Sequence, residues 1–317
     1  MTTYLIMLII ELYATSHVGR VRRGNEDNYL LLNLSNSEML TSSQDAGEFA
    51  IKTRKFEVDE DGVVLAVSDG MGGALAGEVA SQMAVETVCQ KLVTDDPEKT
   101  LTPDDAVISL IEKLYDATVY ANHLIHRQGR TDPQYNGMGA TFTGVGITLD
   151  GVDLIQVGDS RGYLIRNARI YQITKDQSLV QQLIDSGQIS PEEADTHALK
   201  NVILQALGAQ NEIYPVPARL IPQRDDILLL CSDGLSNKLP AEDLLKVINE
   251  NMGNLERACA MLVKEANERG GEDNITVIIA RLTGSDLPES TDDDVQIEIL
   301  NLGDIHDTAD QDVGKII

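Results

Sequence analysis

The sequence predicts an α+β fold built mainly on antiparallel sheets. Apolar runs of strand length recur along the chain, an Asp-Gly pair joins two of them as a hairpin, and helical patterns arrive in pairs between the runs. Three runs also share an ending, an aspartate followed by a small residue: Val63 to Asp69-Gly70, Leu154 to Asp159-Ser160, and Ile227 to Asp233-Gly234. A core strand that stops at Asp holds a carboxylate rigidly at the edge of the core, and the small residue marks the turn after it.

In chain order, strands are expected at 4–13 and 27–33, then an irregular polar stretch over 35–61, then the strand that ends at Asp69. Gly72-Gly73 leads into a helix from Ala74 to Val93. Thr102-Pro103-Asp104-Asp105 opens a second helix running to Gly129: Thr caps, Pro suits the first turn, and the acids favour the positive end of the dipole. Strands 139–149 and 152–158 meet at Asp150-Gly151, and strands 163–165 and 170–174 meet at Asn167-Ala168-Arg169. Helices follow over 178–186 and from Ser190, where Ser190-Pro191-Glu192-Glu193 is a capping-box pattern. Strands 213–220 and 226–232, helices 240–252 and 254–269, and a strand from Ile275 to Leu282 complete the foldable part. From Thr283 to the last residue there are ten acids and one Lys, with no aromatic residue, which reads as a disordered acidic tail over 283–317. Val295 to Leu300 is a short apolar motif within it that could serve as an interaction segment.

The charge balance excludes some partners. The chain has 317 residues with 51 acidic against 25 basic, a formal charge of −26 that repels phosphate backbones and argues against nucleic acid. Three scattered cysteines with no CxxC argue against a disulfide framework or zinc site and suit a reducing cytosol. No stretch reaches the length of a membrane span. Tyr4 to Ile10 is apolar but lacks a basic region before it, so it reads as a first strand and the chain as cytoplasmic, without a leader or membrane.

Two further acidic clusters, Asn25-Glu26-Asp27 and Glu272-Asp273-Asn274, border apolar runs of their own. Close carboxylates repel by about 4 kcal/mol per pair at an effective dielectric near 20, so a site built from several needs cations or protons. Oxygen ligands without His select Mg²⁺, Mn²⁺ or Ca²⁺, and no EF-hand spacing supports a calcium sensor. Two such ions can lower the pKa of a shared water and neutralise a phosphoryl group under attack. Arg22 and Arg23, just before Asn25, offer a phosphate ligand in an otherwise acidic chain.

The ordered set Arg22-x-x-Asn25-Glu26-Asp27, Ser68-Asp69-Gly70-Met71-Gly72-Gly73, Gly158-Asp159-Ser160-Arg161, Ser232-Asp233-Gly234 and Glu272-Asp273-Asn274-Ile275-Thr276 resembles the metal-dependent protein phosphatases of type 2C, bacterial serine/threonine phosphatases among them. Gly139-Ala140-Thr141 is similar to that family's central strand motif. The resemblance implies an αββα sandwich of two mainly antiparallel sheets flanked by helices, over residues 1–282 with a flap at about 174–207. It implies two Mn²⁺ or Mg²⁺ ions bridged by Asp69, which would also orient the nucleophilic water, with the Gly70 carbonyl on one ion and Asp233 and Asp273 on the other. Glu26 and Asp27 would act through bound waters, Asp159 with Asp233 would hold a third, weaker ion, and Arg22 would hold the substrate phosphate. Asn274 is read as orienting the Asp273 loop.

The implied activity is hydrolysis of phosphoserine and phosphothreonine on phosphorylated proteins by a monomer, opposing Ser/Thr kinases in bacterial signalling. A protein of the same fold that binds without turnover is the alternative, and a phosphatase for one partner-switching antagonist is a third. Met71 stands where many eukaryotic members carry His, and it cannot donate a proton. Gln177 replaces a His frequent in bacterial members, while Lys200 and Gln205 stand where Arg is frequent, so flap behaviour is expected to differ.

Overall fold

The computed structural model describes residues 8–42, 53–94, 108–285, 287–291 and 293–302. Strands β1 (Leu8–His17), β2 (Asp27–Asn33), β3 (Glu38–Thr41), β4 (Arg54–Val58) and β5 (Val63–Met71) precede helices α1 (Ala74–Thr94) and α2 (Leu110–Thr131). Strands β6 (Gly139–Ala140), β7 (Phe142–Thr148), β8 (Gly151–Val157), β9 (Arg161–Arg166) and β10 (Arg169–Gln172) follow, then the short helices α3 (Leu179–Asp185) and α4 (Pro191–Asp195). The remainder is β11 (Val216–Leu220), β12 (Ile227–Cys231), α5 (Asp233–Ser236), α6 (Ala241–Glu250), α7 (Leu255–Glu268), β13 (Ile275–Gly284) and β14 (Glu298–Ile299).

These strands form two antiparallel sheets, one in the order β10-β9-β12-β13-β1-β4 and the other in the order β14-β11-β8-β7-β5-β2-β3, with β6 beside the end of β5. Alternation along each strand separates three layers of core. On β2, Tyr29 and Leu31 enter the layer between the sheets, while Leu30 and Leu32 face α1 and α2. On β12, Leu228 and Leu230 face inward, while Ile227 and Leu229 meet α6 and α7. Helices therefore cover both outer faces, giving the αββα sandwich. Burial on both faces is also why the central strands read as unbroken apolar runs. Ala76, Ala80 and Ala84 let α1 lie close on its sheet.

The polar stretch 35–61, expected to be irregular, contributes an edge strand to each sheet, β3 and β4. Edge strands have one wet face, and on β4 only Phe56 and Val58 are buried, so the apolar signal is thin. The turn expected after Asp233 is the short helix α5. Helix α2 is described from Leu110 with Ser109 at its N-cap, and the expected start at Thr102 lies outside the described residues.

The largest difference concerns the tail. Described residues between 283 and 302 pack against the sandwich, so the boundary at 282 and the disordered reading do not hold for them. Strand β14 pairs with β11, and the Leu300 N–H donates to the Pro217 carbonyl at 2.9 Å. Leu287, Val295 and Ile297 join the inter-sheet layer, while Leu300 and Leu302 join the layer under α1 and α2. These apolar side chains are interspersed with acids, and average composition conceals them. The motif Val295 to Leu300 thus binds its own chain, and residues 303–317 lie outside the described residues.

Truncation after Gly284 should therefore destabilise the fold. Leu287 and Leu302 are both buried, and loss of one buried leucine costs about 2–5 kcal/mol. Urea unfolding should show a loss of at least about 3 kcal/mol, and an unchanged midpoint would contradict the packing role of the segment.

Candidate metal centre

Antiparallel pairing decides where the acidic residues meet. Asp27 opens β2 directly opposite Asp69 near the end of β5. Asp159 follows β8, Asp233 follows β12 at the start of α5, and Asp273 precedes β13. The start of β2, the end of β5 and the end of β8 lie at the same end of one sheet. The end of β12 and the start of β13 are neighbours in the other. Asp69 feels the charges of Asp27, Asp233, Asp159 and Asp273 together, and it is near enough to Asp233 to share a hydrogen bond. Arg22 lies at the rim with its Nη2 2.9 Å from Asp273 Oδ2 and its Nη1 3.9 Å from Glu26 Oε1. The side chain of Arg22 remains 45% exposed, and Arg23 points to solvent.

A lattice of hydroxyls and amides holds these groups. The Ser232 hydroxyl donates to Asp27 Oδ2 at 2.6 Å while accepting the Thr276 N–H at 3.0 Å. Thr141 accepts the Asp69 N–H on its hydroxyl at 2.9 Å, donates its own N–H to the Asp69 carbonyl at 2.8 Å, and meets the Ser160 hydroxyl at 2.7 Å. Asn274 accepts the Glu26 N–H at 2.8 Å and donates to the carbonyls of Val18 and Gly24, so it ties the Glu26 segment to the start of β13. Gly70 packs directly against Gly77 of α1, and a Cβ on either would collide with the other's surroundings, Glu26 included. That contact lets α1 cross the metal end of the sheet. Ser81 of α1 donates its hydroxyl to the Glu26 carbonyl at 2.5 Å. Gly77, Ser81 and Thr141 act from sequence distances that no local spacing reveals; the signal available was a glycine inside a helix, which carries a stability cost of roughly 0.5–1 kcal/mol unless packing requires it.

Burial pushes Asp27 up to about 7, with repulsion from Asp233 and Asp273 adding to it against the hydrogen bonds of Ser232 and Thr276. Burial likewise raises Asp159 to about 7, reinforced by Asp233 and Asp176. Asp69 is raised well above the carboxylate range by burial and by its four acidic neighbours, and Asp233 is raised by burial and Asp273. Among the described residues, no three His, Cys, Asp or Glu side chains close on one point as a finished cage. Several are held apart by separate partners, Asp27 by Ser232, Asp233 by Asn237 and Asp273 by Arg22. The donor set is oxygen only, is rich in carboxylates, and repels itself, which suits hard divalent cations.

The flap is anchored on the same end. The Gln177 N–H donates to the Gly158 carbonyl at 2.9 Å, and its side-chain Oε1 accepts the Gly158 N–H at 2.7 Å. Gln205 Nε2 donates to the same Oε1 at 3.1 Å, so the two departures noted in the sequence touch each other. Gly158 sits at φ +101, where a side chain would strike Thr141. An uncharged pair thus clasps both ends of the flap to the turn that carries Asp159. His197 accepts the Leu199 N–H at 3.2 Å within the flap, and His126 bonds the Gly208 carbonyl at 3.0 Å, so both serve local structure.

A pH prediction follows from the acidic basin. Carboxylates whose folded pKa is raised contribute stability that is complete below their unfolded pKa, near 4, and is lost as pH rises through about 7. Protein kept in EDTA should melt at lower temperature at pH 8 than at pH 6, and Mn²⁺ should recover more at pH 8. Equal melting at both pH values, with and without Mn²⁺, would contradict the repulsion described above.

Comparison with known proteins is consistent with this geometry. The family model described as Protein phosphatase 2C matches residues 41–265. The serine/threonine phosphatase stp of Listeria welshimeri is 37% identical over 265 residues, covering 82% of this chain and 91% of that protein. The serine/threonine protein phosphatase PstP of Mycobacterium tuberculosis is 35% identical over 227 residues, covering 72% of this chain and 42% of that protein. Among solved structures, the catalytic domain of PstP in complex with two manganese ions aligns with TM-score 0.67 at 32% identity, covering 87% of this chain and 99% of that one. The crystal structure of M. tuberculosis PstP/Ppp aligns with TM-score 0.69 at 33% identity, covering the same shares. The chain belongs to the protein phosphatase 2C family.

Proposed function

We propose that the chain removes phosphate from phosphoserine and phosphothreonine on proteins, using two Mn²⁺ or Mg²⁺ ions held at the end of the sandwich. The observation that carries this reading is the buried carboxylate basin with Arg22 at its rim, in a member of this family. Asp69 would bridge the ions with the Gly70 carbonyl on one of them, and Asp233 and Asp273 would hold the other. Glu26 and Asp27 would act from the outer side, and Asp159 with Asp233 would form the third, weaker position. When bound, the ions supply a water acidic enough to attack near neutral pH and charge to offset that of the phosphoryl group.

The chain's own groups do the rest. Arg22, half exposed and already turned toward the basin, can present two donors to a phosphate. Asp69, pinned at its backbone by Thr141, would help hold the ions and orient the water they activate. Met71 has no proton to give, so the leaving serine or threonine oxygen takes one from water or another group. Among the described residues no helix is long and apolar enough to cross a membrane, and the three cysteines are buried and free. Within this reading the chain acts as a monomer in the cytoplasm and opposes Ser/Thr kinases.

Purified protein should hydrolyse p-nitrophenyl phosphate with Mn²⁺ and fall silent in EDTA; no turnover at any Mn²⁺ concentration would sink the enzyme reading. Asp273→Asn should lower kcat by about 100-fold or more while the protein stays folded. Arg22→Ala should raise KM about tenfold, the equivalent of one charge-assisted contact. A variant at Arg22 with wild-type KM would remove that residue from the phosphate.

A further inference from the structure

Beside the metal end, a cavity of about 530 Å³ opens between the flap helices α3 and α4 and the turn from α5 to α6. Asp159 and Asp233 form its inner wall, so it is continuous with the place where the phosphate would react. Three features distinguish it from an ordinary surface hollow. Two lysines, Lys200 from the flap and Lys238 after α5, line it in a chain of formal charge −26. Both act on one carboxylate: Lys238 is ion-paired to Glu272, whose side chain is 58% exposed, and the charge of Lys200 reaches the same group. Ser236 also lines the cavity, is only 9% exposed, and its hydroxyl has no hydrogen-bond partner among the described residues.

The other charges in the wall are already committed. Arg161 grips Asp176 through contacts of 2.7, 2.9 and 3.0 Å. Asp159 and Asp233 belong to the ion-binding set, on which this inference rests. Lys200 and Lys238 bring two ammonium groups to the wall, Lys238 is paired with the exposed Glu272, and the unsatisfied Ser236 hydroxyl lies in the same lining.

We propose that this cavity is a substrate subsite that takes an anionic side chain lying close to the phosphoserine or phosphothreonine of a phosphoprotein. The anion would displace Glu272 from Lys238 and Lys200 and accept a hydrogen bond from Ser236. A carboxylate of Asp or Glu and a second phosphate on the substrate share this chemistry. A lysine presents a compact charge instead of a planar fork, so it favours a single anionic group over a bidentate clamp.

The test uses the full chain with Mn²⁺ and a set of phosphothreonine peptides. They carry Glu, Ala, Lys or a second phosphothreonine at each position within three residues of the target. Wild type should show kcat/KM at least tenfold higher for an anionic neighbour at one position than for Ala there, and lower still for Lys. The arm with the greater gain, Glu or phosphothreonine, names the source of the anion. In Lys200→Met/Lys238→Met, with folding checked by its melting curve, the ratio should fall close to one through KM. Ser236→Ala should reduce the ratio by a smaller factor. Hydrolysis by wild type without preference, or a preference that survives in the double-lysine variant, overturns the subsite alone. Hydrolysis of no peptide overturns the phosphatase reading and the subsite with it.

Discussion

Repulsion among carboxylates that the sheets force together is the constraint on which this molecule is organised. Asp27 and Asp69 are cross-strand partners, so neither can move away without breaking the ladder between β2 and β5. Asp233 and Asp273 flank adjoining ends of β12 and β13 and approach from the second sheet. At an effective dielectric near 20, each close pair of charges costs about 4 kcal/mol, comparable to a large share of the stability of an ordinary domain. The surrounding hydroxyls of Ser232 and Thr141 and the amide of Asn274 hold the groups in register but do not cancel their charge. Divalent cations do, and that links the fold to its chemistry.

Around this end the molecule divides into a firm floor and a thinly packed wall. The floor is strand backbone, buried on both faces and closed by α1 through the Gly70–Gly77 contact. The wall is the flap, whose two short helices bury no apolar side chain except Ala194 and which is clasped to the Gly158 turn by Gln177 and Gln205. Because the clasp is uncharged, its strength does not vary with pH, unlike that of a histidine. The floor carries the carboxylates, and the wall stands beside them.

Much of this was legible in the sequence because the central strands are buried twice over. Val63 to Val67 and Ile227 to Cys231 fill core layers on both sides, so each reads as a solid apolar run whose end marks a carboxylate. Elements with one wet face were less legible. Strand β4 shows two buried residues, and the segment from Leu287 to Leu302 hides its apolar contacts among acids. The groups that hold the site, Thr141 against Asp69 or Ser81 against the Glu26 carbonyl, are joined only through tertiary pairing across 72 and 55 positions. Local patterns carry no trace of such partners. The contact of Gln177 with Gln205 was likewise invisible, although both residues had drawn notice separately.

The central claim is that the carboxylate basin is a divalent-cation centre organised by Asp69. Titration calorimetry of Mn²⁺ into EDTA-treated and dialysed protein tests it without reference to turnover. The account predicts two equivalents bound by wild type with release of protons at pH 7, and loss of that binding in Asp69→Asn while the circular dichroism of the fold is kept. Binding that is absent in wild type, or unchanged in Asp69→Asn, would contradict it.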